Sequence, residues 1–304
     1  MKSKVMLTIK KFEMIENSES IAVAISGGVD SVSLLHFLKE NFIKKNIMAI
    51  HLNHNLRGSE SIRDENFVKN LCKNWGIKLF LKSCDIFEIS KKVHKGIEEC
   101  ARDFRYDFFN EISEKTGSKV AVAHTLSDSI ETIIFNLTRG SGIDGIRGIP
   151  SIRDNIIRPF VFVPRFEIEN YAKNNNLSYI TDSSNFSPEF ARNRIRMFVI
   201  PQIKKINPSF ECTFERFLYQ INRDCDFLNE LSSKYLEKKI NDIKILPEAI
   251  RYRVLKTILS QFSDSFEFRH IKLADDLIKS KINAFTMPKN IKIFIKDEHL
   301  TCQK

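Results

Sequence analysis

The sequence has 304 residues and a formal net charge of +10, with 42% apolar and 28% charged residues. This composition is typical of a globular chain of one large or two modest domains, and no apolar run approaches the length of a membrane span. The six cysteines form no C-x-x-C pair, which argues against a zinc site, an iron–sulfur cluster or a redox dithiol. With no signal peptide, they predict reduced thiols in a cytosolic protein. The positive charge indicates either a polyanionic partner or, as the alternative, solubility combined with the lysine-rich composition that an A/T-rich genome produces.

The first elements are a helix and a strand–loop–helix unit. Apolar residues at helical spacing predict an amphipathic helix over residues 1–19. Small and β-branched apolar residues at 21–25 predict a buried parallel strand, and the apolar period that starts at Val32 predicts a helix.

The loop between that strand and helix has the sequence SGGVDS. Gly27 and Gly28 allow backbone N–H groups to turn inward, and the helix that follows presents its positive end, so the loop predicts an anion site for phosphate or pyrophosphate. It lacks the Gly-Lys-Ser/Thr ending of a Walker A loop. Ser26 and Ser31 offer hydroxyls to phosphate oxygens, and Asp30 offers a carboxylate to Mg²⁺. An ordinary glycine-rich turn with a capping aspartate is the alternative.

Polar residues follow the second predicted strand. Residues 47–50 predict that strand, and His51 and His54 fall at its carboxyl end, where open parallel sheets bind ligands. No further ligand cluster accompanies the two histidines, so we expect them to line the site or to make structural hydrogen bonds. A helix over 61–75 and a strand over 77–85 come next.

The next two helices carry candidate site residues. The helix predicted over 96–113 places Glu98, Arg102 and Arg105 on one face, which a ladder of ion pairs would also explain. A strand over 120–124 then brings His124 to the edge of the sheet.

Two acids lie in the first turn of the helix predicted over 127–140. Asp128 and Glu131 are three residues apart and therefore share a face, although acids there also complement the helix dipole. A loop rich in glycine follows. The later segments are a strand at 156–163, a helix at 164–176, a short strand and loop at 178–185, and a helix at 191–203.

Three arginines fall within five residues of that last helix, Arg192, Arg194 and Arg196. Clustered guanidinium groups suit forked hydrogen bonds to phosphate, and a solvated helix face is the alternative.

The alternation of strands and helices predicts an α/β fold with a doubly wound parallel sheet. Pro201 and Pro208 flank a predicted boundary, which gives one domain at 1–207 and a smaller, mainly helical domain at 208–304. In the second domain we expect helices at 209–239, 246–262 and 268–281, and a two-stranded ribbon that turns near Asp297.

Seven motifs in order carry a resemblance to a known family. They are SGGVDS, HLNHNLRGSESIRDENFV, EECARDFRY, AHTLSDSIET, LTRGSGIDGIRGIP, RPF with PRFEIENYA, and TDSSNFSPEFARNRIR. The chain resembles the tRNA(Ile)-lysidine synthetases of the PP-loop ATP pyrophosphatase superfamily, over nearly all of residues 20–208 and into the helical domain. The resemblance implies the adenine nucleotide alpha hydrolase-like fold for the first domain and tRNA contact for the second.

The activity implied by the resemblance is a tRNA modification. The family attaches free L-lysine to C2 of the wobble cytidine in the CAU anticodon of tRNA(Ile). ATP adenylates the C2 oxygen and releases pyrophosphate, and the lysine amine then displaces AMP. ATP and Mg²⁺ are the implied cofactors, tRNA(Ile) and lysine are the implied partners, and the resemblance is compatible with a homodimer.

The resemblance also implies roles for individual residues. Asp128 and Glu131 would hold the lysine amine, and Arg105, or else Arg102, would neutralise charge at the reacting centre. Asp30 would hold Mg²⁺ and act in catalysis. The implied nucleotide-binding residues are Ser26, Gly27, Gly28, Val29, Asp30, Ser31, His54, Arg194 and Arg196.

Two positions depart from the family pattern. Many relatives carry a second histidine at the position of Thr125 and an acid or amide at the position of Ser127.

The competing hypotheses are a 2-thiocytidine thiolase of the same superfamily, a non-catalytic RNA-binding relative, and an amide-forming ligase similar to NAD synthetase. A thiolase would need paired cysteines, and such a ligase does not predict the basic excess.

Overall fold

The structure is a computed structural model that describes residues 1–15, 20–55, 58–94, 96–181, 191–263 and 265–303. Contacts divide the chain into two compact units, Met1–Leu218 and Tyr219–Lys304. This division falls inside the helix Phe210–Ser233. The domain boundary at 207/208 and the roles assigned to the two domains stay predictions. No helix in the described ranges has both the length and the apolar character needed to cross a membrane.

The described part of the first unit contains a six-stranded sheet in the order β3-β2-β1-β4-β6-β5. The doubly wound parallel sheet predicted from the sequence is confirmed, with β5 as an antiparallel edge strand. β1 is central because it pairs in parallel with both β2 and β4. The strands are β1 (Ser20–Ala24), β2 (Ile47–Asn53), β3 (Lys78–Ser83), β4 (Ser118–Ala121), β5 (Ile152–Arg153) and β6 (Ile156–Ile157).

Helices cover both faces of this sheet. The helices are α1 (Lys2–Lys11), α2 (Val29–Asn41), α3 (Ser59–Trp75), α4 (Ile86–Val93), α5 (Ile97–Thr116), α6 (Leu126–Thr138), α7 (Arg165–Asn174), α8 (Ala191–Arg194), α9 (Ile200–Ile206) and α10 (Phe210–Ser233). Alternate residues of β1 point to opposite faces: Ile21 and Val23 join one apolar cluster with α1, α2, α3 and α7, and Ala22 joins another with α5. A π-helical turn, Ile195–Val199, joins α8 to α9.

Three predicted boundaries near the first strands were wrong. The N-terminal helix ends at Lys11 because the backbone turns at Glu13, with φ of 48°, and buries Met14; residues 16–19 lie outside the described ranges. α2 begins at Val29 rather than at Val32, so Asp30 lies in its first turn. β2 continues to Asn53, because its pairing with β3 extends past the apolar run.

The strand predicted at 156–163 was also wrong, since only Ile156–Ile157 pairs in the sheet. Pro159 has no N–H to donate, and the segment instead forms turns, with Val161 N–H bonded to the Arg158 carbonyl and Val163 N–H to the Phe160 carbonyl. The short strand expected at 178–185 is absent from residues 178–181, and the rest lies outside the described ranges. The sequence reasoning also missed α4 and β5.

The second unit has its own apolar core. After α10 come α11 (Ile240–Lys244), α12 (Glu248–Phe262) and α13 (Phe268–Ile278), which pack on β7 (Ala284–Met287), β8 (Ile291–Lys296) and β9 (His299–Gln303). The ribbon turns at Asp297 and Glu298, both at positive φ, near the predicted position. The expected two strands are three in this described segment, because Ala284–Met287 pairs with β8.

Candidate active site

The loop after β1 is held by its own serine hydroxyls. The Ser31 hydroxyl donates to the Gly28 carbonyl at 3.0 Å and accepts from the Ser26 backbone N–H at 3.1 Å. The Ser26 hydroxyl lies 3.1 Å from the Ser31 hydroxyl. The loop therefore has its shape before any ligand arrives, and the Ser26 side chain remains exposed at its rim.

Gly27 and Gly28 differ in what they contribute. Gly27 has φ of +92°, and its carbonyl accepts from the Ile180 N–H at 2.9 Å. A Cβ on Gly27 would lie 3.2 Å from the Ile180 side chain. Gly28 has an ordinary φ of −74° and caps α2. The free N–H groups of the first turn of α2 then face the loop, an arrangement that suits a pyrophosphate group.

Asp30 in that first turn has one oxygen engaged and one without a partner. Its Oδ2 lies 3.9 Å from Nη2 of Arg165, whereas Oδ1 is buried and accepts no hydrogen bond from the described residues. Burial raises the pKa of Asp30 to about 6; Arg165 opposes this rise, and the nearby Asp128 adds to it. A buried carboxylate oxygen without a partner among the described residues, with the acids Asp128 and Glu169 nearby, fits a hard divalent cation such as Mg²⁺.

Asp128 lies at the capped start of α6. The Thr125 hydroxyl accepts from the Asp128 backbone N–H at 3.2 Å, and the Asp128 carboxylate accepts from the Thr125 N–H at 2.7 Å. Thr125, one of the two departures from the family pattern noted in the sequence, thus forms a reciprocal capping box with Asp128. Ser127, the other departure, donates to the buried Glu211 carboxylate at 3.3 Å.

A single arginine joins the two acids of α6. Arg196 binds both oxygens of Glu131, at 2.6 and 2.9 Å, and its Nη2 lies 3.6 Å from Asp128. Burial raises the pKa of Glu131, and the bonds from Arg196 oppose that rise. Arg196 belongs to the π-helical turn, a local geometry often found at functional sites.

Two histidines are kept neutral on the basic side of the site. Burial, together with the nearby Arg105 and His51, lowers the pKa of His54 to about 4. His124 accepts a hydrogen bond from Arg158 Nε at 3.1 Å, and burial lowers its pKa to about 4 as well, with contributions from Arg158 and Arg105. Arg105 is thus an electrostatic neighbour of both histidines.

Other predicted residues lie elsewhere. Arg102 contacts the Tyr106 ring, with its guanidinium carbon 5.6 Å from the ring centroid. Arg194 is exposed on α8. His51 is buried, and its Nδ1 lies 2.7 Å from the Ile25 carbonyl oxygen, a structural hydrogen bond. Residues 182–190 of the last motif are outside the described ranges.

Sequence reasoning missed two arginines of the site. Arg165 pairs with Asp30, and Arg158 bonds His124. Both stand in the RPF and PRFEIENYA motifs, which offered the only signal.

Two cysteines that are 16 residues apart in the sequence interact in the structure. Cys84 interacts electrostatically with Cys100, and its Sγ lies 3.8 Å from His54 Nδ1. Even so, no group of three or more metal-ligating side chains occurs among the described residues.

Comparison with known proteins agrees with this fold. A family model described as a PP-loop domain matches residues 1–203. Among solved structures, the U34-tRNA thiolase NcsA from Methanococcus maripaludis, solved with its 4Fe-4S cluster, superposes with a TM-score of 0.60. It is 18% identical and covers 72% of this chain and 78% of that chain, a likeness that shows the fold alone.

Curated relatives are more similar in sequence. The tRNA(Ile)-lysidine synthase of Clostridium perfringens is 39% identical over 290 residues, which is 90% of this chain and 62% of the relative. That of Clostridioides difficile is 34% identical over 98% of this chain and 69% of the relative. The chain thus spans about two thirds of the length of these relatives. With the PP-loop match over most of the first unit, these identities show that the chain belongs to the tRNA(Ile)-lysidine synthase family of PP-loop proteins.

Proposed function

We propose that the chain attaches free L-lysine to C2 of the wobble cytidine in the CAU anticodon of tRNA(Ile), with ATP converted to AMP and pyrophosphate. The observation that carries the proposal is the meeting of the SGGVDS loop with the acids of α6. Asp30, whose Oδ1 has no hydrogen-bond partner among the described residues, interacts electrostatically with Asp128, and Asp128 interacts in turn with Glu131. The membership of the lysidine synthase family supports the same activity.

The first half-reaction needs a site for the leaving pyrophosphate. The hydroxyls of Ser26 and Ser31, with the backbone at Gly27, Gly28 and Val29, would hold its oxygens by preorganised donors. Asp30 would hold Mg²⁺, which when bound neutralises charge on the phosphate oxygens. His54, neutral at pH 7, and the exposed Arg194 would contact the nucleotide or tRNA phosphates.

The second half-reaction needs a neutral amine. Asp128 and Glu131 would bind the lysine ammonium group and accept its proton, since only the unprotonated amine is nucleophilic. The raised pKa of Glu131 favours that transfer. Arg105 would stabilise negative charge at the reacting base. Arg196, which the resemblance assigns to phosphate contact, bonds both oxygens of Glu131 and would instead orient the acid pair.

The remaining assignments rest on the family. Residues 1–207 would form the catalytic domain and 208–304 a tRNA-contacting domain, in a protein of the cytoplasm that forms a homodimer. The net charge of +10 supports a polyanionic partner.

Incorporation of labelled lysine tests the proposal. The chain is incubated with ATP, Mg²⁺ and tRNA(Ile) bearing CAU, with methionine tRNA as the control. We expect label in the isoleucine tRNA alone, with equal release of AMP and pyrophosphate. AMP release without label would indicate another nucleophile, as in a thiolase. Neither signal, with tRNA still bound, would favour a non-catalytic RNA-binding protein.

A further inference from the structure

A polar pocket lies beside the site, between α5 and the β5–β6 hairpin. Its volume is about 520 Å³, within the range of ordinary small-molecule sites. Helix α5 contributes Arg102, Asp103, Tyr106 and Asp107, and the hairpin contributes Arg153 and Asp154. We call this the Tyr106 pocket. None of its residues has a role in the chemistry proposed above, apart from Arg102 as an alternative to Arg105.

The pocket is built around one aromatic ring. The guanidinium carbons of Arg102 and Arg153 lie 5.6 and 5.8 Å from the centroid of the Tyr106 ring. Planar guanidinium groups and an aromatic ring are the surfaces on which proteins stack unpaired bases of RNA.

The charges of the lining select against a phosphate. Two arginines of the lining stand with three aspartates, Asp103, Asp107 and Asp154, and Arg158 beside Tyr106 brings the local charge to neutrality, so the pocket offers an anion no net attraction. Carboxylates instead accept hydrogen bonds from ring N–H and exocyclic amino groups. The lining therefore suits a neutral planar ring with donors on its edge.

The pocket is connected to the site by hydrogen bonds. The Tyr106 side chain bonds the Arg158 guanidinium, and Arg158 in turn donates to His124. A group held against Tyr106 would thus be connected through Arg158 to His124, which is an electrostatic neighbour of Arg105.

We propose that the Tyr106 pocket binds an unpaired nucleobase of the RNA substrate that carries N–H or amino donors, other than the base that is modified. The inference rests on the proposed function, because it takes tRNA to be the substrate. The ring stacks against Arg153 and Tyr106, and the aspartates accept hydrogen bonds from its edge.

Binding of anticodon stem–loop RNAs tests the inference. RNAs with single abasic positions in the loop are compared by fluorescence anisotropy on the wild type and on Arg153→Ala; the Arg153 side chain is 55% exposed, so this change leaves the core intact. We expect one abasic position, outside the modified cytidine, to weaken binding to the wild type about 10-fold. Arg153→Ala should weaken binding of the intact RNA similarly, with no further loss at that abasic position.

Two variants separate stacking from simple charge. Arg153→Lys keeps the charge but loses the planar group, so it should bind like Arg153→Ala. Lys78→Ala removes a cation that lies 5.0 Å from the Phe80 ring outside the pocket, and it should bind like the wild type. Equal weakening for every RNA, full rescue by lysine, or no effect of Arg153→Ala would each overturn the inference. The labelling experiment described above measures lysidine formation separately. If the wild type formed no lysidine in that experiment, the proposed function would be overturned instead.

Discussion

Arg196 donates hydrogen bonds to both carboxylate oxygens of Glu131, from Nε at 2.6 Å and from Nη2 at 2.9 Å. The same Nη2 lies 3.6 Å from Asp128 Oδ1. Two acids and one arginine leave this half-buried cluster with one negative charge in excess. Because partly buried charge is more stable when it is balanced, we infer that this cluster favours the binding of one further cation. A lysine ammonium group would bring it to neutrality.

The Glu131→Gln variant should therefore bind lysine poorly. With one carboxylate removed, Asp128 and Arg196 already balance, and an added ammonium group is no longer favoured. We expect the lysine KM to rise at least about 10-fold, as for loss of a charge-assisted hydrogen bond, with ATP binding changed by less than about threefold. The measurement is lysine-dependent AMP release with titrated ATP. Glu111→Gln, an exposed acid paired with Lys82, serves as control, and an unchanged lysine KM in Glu131→Gln would contradict the assignment.

Asp30→Asn should abolish AMP formation and leave the fold intact. The amide keeps the size of the side chain but loses the charge that Mg²⁺ requires. The Asp30 carboxylate is desolvated, and one of its oxygens has no partner among the described residues. At pH values above 6, removal of its charge should therefore leave the thermal unfolding midpoint unchanged or raise it. Pyrophosphate release and thermal unfolding measure the two effects. Turnover near that of the wild type would refute the role.

The raised pKa of Asp30 also predicts a pH dependence. In the folded state its carboxyl loses its proton with a midpoint of about pH 6, so magnesium-dependent ATP binding should increase as the pH rises through about 6 and level off near pH 7. The contribution of the Asp30 carboxyl to the free energy of unfolding has the opposite pH dependence. It is fully present below the unfolded-state pKa of about 3.8 and is lost as the pH rises through about 6. Calorimetric titration of Mg²⁺ and ATP between pH 5 and 8 should show this rise in the wild type. Equal affinity at pH 5 and pH 7 would contradict it.

The Thr125 cap of α6 positions Asp128 in the site, and it should also stabilise the folded protein. Thr125→Ala removes the acceptor for the Asp128 N–H, and we expect a loss of about 1 kcal/mol in the free energy of unfolding. Thr125→Ser keeps the hydroxyl and should retain most of that stability. Urea unfolding of the two variants gives the comparison. Equal stability of the alanine and serine variants would show that the capping box contributes little.

The central strands were predictable because each is a short apolar run buried on both faces. The segment 156–163 is just as apolar, and Phe160 and Val163 are buried, yet it forms turns. Burial alone does not distinguish a strand from a buried turn. What decides here is Pro159, together with Arg158, whose side chain reaches His124 and the Pro150 carbonyl.

The site was predictable where its residues share one element. Asp128 and Glu131 are three apart on a helix, and the hydroxyls of SGGVDS belong to one loop. The partners were not predictable in the same way: Arg158 bonds a histidine 34 residues away, and Arg196 bonds an acid 65 residues away. Such pairs depend on how the strands are ordered in the sheet, which local spacing does not encode.

Gly27 and Gly28 provide a matched pair for the last prediction. Gly27→Ala places a side chain at φ of +92° and brings its Cβ to 3.2 Å from Ile180, so we expect a loss of about 1–2 kcal/mol in the free energy of unfolding. Gly28→Ser adopts φ of −74° without strain, and its Cβ would lie 3.6 Å from the Ser26 hydroxyl oxygen, an ordinary contact. Stability should therefore be unchanged in Gly28→Ser, even if the added side chain blocks the phosphate site. Urea unfolding separates the backbone effect from ligand binding, and equal destabilisation by the two changes would show that the positive φ of Gly27 is not what fixes the loop.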